Sequence, residues 1–172
     1  MEKSQDLAWP EGSVDFERQS FMVVGSRPLI HVQDDIESAF VWCWSVRDYL
    51  KDSLLFDNKA KVRLFDEEIN KYPCLVICSD IANGLKHKTL RQSRSEKFAY
   101  LKVSEKITIT KENTSMIQQL DGKYYITPMG DDSVEIKASI YSKSGDFIYD
   151  AYDCLQESLK AWADIEKKFK HT

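Results

Sequence analysis

KFAYLKVSEKITIT, residues 97–110, is the stretch where the chain changes period. Before it, apolar residues recur every three to four positions, as on one face of a helix. From Phe98 onward they alternate with polar residues, as in strands half-buried on a core. SMIQQL (115–120), KYYIT (123–127) and SVEIKASIYS (133–142) continue the alternation, most cleanly at Val134, Ile136, Ala138 and Ile140. Ser104-Glu105, Asp121-Gly122 and Ser144-Gly145 stand between the runs as turn signals. The expectation is an antiparallel meander with one face against the core.

Upstream, QDDIESAFVWCWSVRDYLKDS (33–53) reads as a strong helix, with Ile36, Phe40, Cys43, Val46 and Leu50 on one stripe. Trp42 and Trp44 widen its apolar surface and are expected in the core, as is Trp162. Asp34 and Asp35 suit its N-terminus through the helix dipole. LLFDNKAKVRLF (54–65) reads as a linker and DEEINKY (66–72) as a helical turn. Pro73 then opens a second helix, because its missing N–H costs nothing at the first position. That helix runs to about 88, with Leu75, Cys78, Ala82 and Leu85 as its apolar stripe. Residues 14–24 fit a helix or a strand equally well. A final helix spans about 150–169, with Tyr152, Leu155, Leu159, Trp162 and Phe169 on its apolar side. Helices, then strands, then a helix make an α+β fold: N-terminal helices packed with an antiparallel β-meander and a C-terminal helix. Residues 1–13 form a flexible polar leader, and 14–172 a single domain.

Composition narrows the functional classes. The 172 residues are 42% hydrophobic, and 24 basic against 28 acidic side chains give a net charge of -4. That is a foldable chain with no global field for nucleic acid. Cys43, Cys74, Cys78 and Cys154 make no Cys-x-x-Cys pair, and three scattered histidines add no zinc spacing. Buried reduced thiols in a cytoplasmic protein are expected, with no metal and no cofactor. No apolar run is long enough for a membrane span, and the acidic first residues do not read as a signal peptide. Phosphate loops, nucleophile elbows and metalloprotease motifs are absent from the sequence.

One stretch carries candidate chemistry. In CSDIANGLKHKTLRQSR (78–94), Asp80, Asn83 and His87 form a second stripe, away from the apolar one. A histidine can move protons near neutral pH, and a carboxylate one or two turns back can orient it. Arg47 is placed to reach this helix from the preceding one. Lys86, Lys88, Arg91 and Arg94 form a basic run able to hold phosphates or an acidic partner. Together these are parts for metal-independent RNA cleavage. The same pattern also fits a solvated helix face ending at Asn83-Gly84, or a structural polar network joining helices to sheet.

Two resemblances attach to these residues. AFVWCWSVRDYLKDS (39–53), CLVICSDIANGLKH (74–87) and IYDAYDCLQESLKAWADIEKKF (148–169) resemble a group of small bacterial and phage-borne proteins without an agreed activity. The shared core is Asp-x-x-Asn-x-x-Lys-His, at Asp80, Asn83, Lys86 and His87. The second resemblance is to HEPN-type helical domains, many of which are metal-independent RNases of toxin and antiviral systems. Asn83 and His87 match their Arg-polar-His motif, but Ala82 stands at the arginine position, so the arginine would come from elsewhere, with Arg47 the best placed. The long strand region also departs from a plain helical bundle. The first resemblance implies a fold and no activity; the missing arginine and the acidic net charge lead to the expectation of a non-catalytic binding or scaffold role in a bacterial defence or stress system, through a protein partner or a homodimer. The alternative is a HEPN-like RNase or toxin acting on RNA through the Asp80, Asn83 and His87 face.

Overall fold

The structure, a computed structural model, describes residues 14–18, 21–54, 58–87, 90–130 and 133–170. The leader over 1–13 lies outside the described residues. The fold is α+β, with four helices and two three-stranded sheets among the described residues, and the chain divides into two compact units.

The first unit comprises residues 1–28 and 105–136. Its sheet has the order β1 (Met22–Val23), β4 (Lys123–Pro128), β3 (Thr114–Leu120). β3 and β4 form an antiparallel hairpin closed at Asp121-Gly122. Both turn residues have positive φ, 50° and 73°, as a two-residue turn matched to strand twist requires. Thus residues 14–24 contribute a strand, and it pairs with β4 in parallel, Met22 opposite Tyr125. Gly25 follows at φ 84°, and a side chain there would meet Thr127 at 3.0 Å.

The second unit comprises residues 29–104 and 137–172. It holds α1 (Leu29–Leu54), α2 (Lys59–Ile69), α3 (Pro73–Lys86) and α4 (Ala151–Lys170), with strand β6 (Phe147–Asp150). Strands β2 (Tyr100–Ile107) and β5 (Val134–Tyr141) carry the chain between the units, and the second sheet has the order β2-β5-β6. Ser104-Glu105 is not a turn. Leu101, Val103 and Ile107 keep one phase across it, so nothing forces the strand to break.

α3 is the central helix of this unit, with Pro73 at its first turn. Its buried residues include Leu75, Ile77, Cys78, Ile81 and Ala82, so it is covered on more than one side. α1 and α4 pack on it, through Phe40 and Cys43 of one and Cys154 of the other. The region 54–65 is not simply a linker. Asn58 caps α2 by accepting from the Lys61 N–H at 3.0 Å, and Phe65 and Ile69 bury one face. Phe65 packs on Trp162 and meets Phe169 edge-on, with ring centres 5.4 Å apart for the second pair.

Three apolar expectations shift. Trp44 and Trp162 are core residues, their rings 6.0 Å apart, but Trp42 is 76% exposed. Two positions on a helix differ by about 200°, so both tryptophans of one Trp-x-Trp cannot face the same core. Leu85 is exposed near the end of α3. On α4, Tyr152 and Leu159 are exposed, while Ala151, Cys154, Ser158, Ala161, Trp162 and Ile165 are buried. Cys154 and Ser158 face α3, the Cys154 thiol donating to the Cys74 carbonyl and Ser158 lying beside the Cys74 thiol, and such small side chains let the two backbones approach. Asp150 stands just before α4, and its carboxylate accepts from the Tyr152 and Asp153 N–H groups of the first turn. All four cysteines are buried and free, and burial pushes the Cys154 thiol up to about 12. Among the described residues no helix is long and apolar enough to cross a membrane.

Candidate functional site

Asp80 and Asn83 lie within α3, but His87 is its C-cap in extended backbone, so the expected stripe does not continue to it and its three members have different surroundings. Asp80 is 1% exposed. Its Oδ2 accepts from the Ser93 and Ser95 hydroxyls, both at 2.5 Å, and from the Ala99 N–H at 3.3 Å. Its Oδ1 accepts from the Arg94 N–H at 2.7 Å. An ionised carboxylate offers about four acceptor sites, so four donors satisfy it. The donors all come from residues 93–99, a segment that needs such holding: Glu96 and Phe98 have φ of 62° and 51°, uncommon for residues with side chains. Ser93 and Ser95 also accept from the Phe98 and Lys97 N–H groups, which ties the loop to itself.

Asn83 donates to Ser79 Oγ one turn back, at 3.3 Å. His87 is exposed at the end of α3, where its backbone N–H bonds Asn83 O. Lys86 and Arg91 are exposed, and Lys88 lies outside the described residues.

Beside the Asp80 network, within the helical unit, lies a cleft of about 660 Å³. α1 supplies Trp44, Arg47 and Asp48 to its wall, and α3 supplies Ser79, Asn83 and Lys86. The loop adds Arg94, with Ser93 and Ser95, and Glu96 at its rim. His87 and Arg91 do not line it.

The basic groups converge behind this wall. Arg47 does not pair with Asp80, as the sequence allowed. It reaches Asp66 of α2, with Nη2 at 3.0 Å and Nε at 3.2 Å, and its Nη1 bonds Asp48. Lys51, one turn on, reaches the other Asp66 oxygen at 3.0 Å. Arg94 approaches from the loop at 3.6 Å. Burial alone would raise the Asp66 carboxyl, but hydrogen bonds from Lys51 and Arg47, and their charge, hold it below its ordinary value. Arg94 is lowered by burial and by the charge of Arg47, against the pull of Asp66 and Asp80. The guanidiniums of Arg47 and Arg94 both lie over the Trp44 ring, 5.7 and 5.2 Å from its centre.

Sequence reasoning missed Asp66, Lys51 and the two serines. One signal was present. Arg47 and Lys51 are four apart on α1, where like charges repel unless an acid stands between them. Asp48 on the same helix meets Arg47 alone, and only the folded chain identifies Asp66 of α2 as the acid between Arg47 and Lys51. Among the described residues no group of His, Cys, Asp or Glu is arranged to hold a metal ion. Comparison with family models, curated proteins and solved structures finds no match to this chain.

Proposed function

We propose that this chain is a non-catalytic binding or scaffold protein, working in a bacterial defence or stress system. The observation that carries the reading is the use made of Asp80. Its carboxylate is committed to four donors of the 93–99 segment, while His87 stands exposed at the helix end. A general base and its orienting acid need mutual hydrogen-bond reach. A protein partner has a contact face on α1, where Trp42 and Tyr49 are seven apart and 76% and 70% exposed. Trp42 shares a hollow with Asp34, Glu37, Val41 and Leu85. An aromatic ring beside two carboxylates suits a basic amphipathic segment, through cation–π contact and ion pairing.

A second reading keeps one observation in its favour. Arg47 and Asn83 line the same cleft, which would let Arg47 supply the arginine missing at Ala82 in a HEPN-like RNase. Metal-free incubation of a labelled RNA pool with wild type and with His87→Ala separates the two. The binding reading expects no cleavage by either. Cleavage by wild type that His87→Ala abolishes, with folding intact, would overturn it in favour of the RNase.

A further inference from the structure

Three cations converge on the single carboxylate of Asp66: Arg47, Lys51 and Arg94, all mostly buried. Asp80, itself buried, also acts on Arg94, and Asp48 bonds Arg47 Nη1 at 3.2 Å, so the three cations meet three carboxylates and what the cleft offers an anion is unused hydrogen-bond donors. Lys86 and Glu96, one of each sign, also line the cleft and are exposed to solvent. A guanidinium presents five donors, and Arg94 does not use all of its own. Its Nη1 is below the surface with no hydrogen-bond partner. The same arginine lines the cleft, and its backbone is held by Asp80 in a loop with two left-handed side-chain-bearing residues. Backbone strain held in place by a buried network is a feature of ligand clamps.

We propose that the cleft is an anion site for a phosphate group, held by Arg94 with Arg47 and Lys86 beside it in the lining, and that Asp80 is the positioning residue that sets Arg94. Phosphate fits better than carboxylate because its several acceptor oxygens can take the Arg94 fork and the Lys86 ammonium together, while the Arg47 nitrogens already bond Asp66 and Asp48. The cleft, at about 660 Å³, has room for more than a lone phosphate, which points to a phosphorylated small molecule or one nucleotide of a strand. This inference stands apart from the question of cleavage, since the test reads binding alone and involves neither His87 nor the Trp42 face of α1.

The test uses the full chain and three probes: pyrophosphate, a nucleoside diphosphate and a short single-stranded oligonucleotide. Each is titrated calorimetrically, beside chloride at matched ionic strength. Saturable binding of pyrophosphate or the diphosphate is expected, weakening as salt rises. Arg94→Lys, which keeps the charge and stem but loses the fork, should bind at least about tenfold more weakly. Ser95→Ala should weaken binding to a smaller degree by loosening the Arg94 loop, and extra salt should not mask that difference. Preference for the oligonucleotide over the diphosphate would identify a strand as the source of the phosphate. No saturable binding of any probe to folded wild type, or equal binding by wild type and folded Arg94→Lys, overturns the proposal.

Discussion

Replacing Asp80 by asparagine tests the buried network with almost no change of shape. The wild-type carboxylate takes two serine hydroxyls and two backbone amides. The hydroxyls of Ser93 and Ser95 lie 3.3 Å apart and can turn toward each other once the acceptor is gone. The amides of Arg94 and Ala99 cannot turn. Each buried donor left without an acceptor costs about 1–3 kcal/mol, so removing the side chain altogether, in Asp80→Ala, should cost about 3–5 kcal/mol. Asparagine keeps one oxygen but points an NH₂ at groups that themselves donate, and it loses the charge that strengthens every bond. Its expected cost is about 2 kcal/mol, or about 4–8 °C in melting temperature for a chain of this length. Ser93→Ala, which removes one donor together with an acceptor for Phe98, should cost about 1 kcal/mol. Urea titration followed by far-UV circular dichroism reads all three. If Asp80→Asn stays within about 0.5 kcal/mol of wild type at an unchanged denaturant slope, the network does not hold the loop and the reasoning is wrong.

The two tryptophans of α1 should separate stability from recognition. Trp44→Ala is expected to cost about 3–5 kcal/mol, whereas Trp42→Ala should change stability by less than about 0.5 kcal/mol and still abolish binding of a Lys-rich amphipathic peptide. Undiminished peptide binding by Trp42→Ala would remove α1 as the partner face. The acid limb of stability should report Asp66 and Glu68. Hydrogen bonds from Lys168 and then Lys71 outweigh burial to hold Glu68 low, as Lys51 and Arg47 do for Asp66. A carboxyl with a depressed folded-state pKa contributes its stability above the unfolded value of about 4 and loses it as pH falls through the folded one. Wild type should therefore lose more stability than the Asp66→Asn, Glu68→Gln double variant between about pH 5 and pH 2, by urea titration at each pH. Parallel curves would show that these bridges do not survive in solution.

Much of the candidate site was visible as residue types without being visible as a site. Asp80, Asn83, Arg47, Lys86 and Arg94 all occupy informative places, but the helical stripe that grouped Asp80 with His87 was only a statement about one helix. Which neighbour covers each part of that face is settled by other elements. The 93–99 segment lies over Asp80, the cleft opens at Asn83, and the helix has ended by His87. Nothing local in SRSEKFA predicts a loop with two left-handed residues, because its stability comes from a carboxylate more than ten positions earlier.

By itself the sequence determined the elements whose signals are local. These are the helix of Ile36 to Leu50, the proline that opens α3, the Asp121-Gly122 hairpin and the alternating strands, together with the α+β order that they compose. Side-chain period and turn chemistry act over a few residues, so they can be read along the chain. The tertiary structure alone decided the rest: that Trp42 faces outward while Trp44 is packed, that α4 turns its small side chains to α3, and that Arg47, Lys51 and Arg94 meet at Asp66. Those outcomes depend on which surfaces exclude water together and which charges are brought out of it together. Burial and Coulomb energies depend on distances in space, and separation along the sequence carries little information about them.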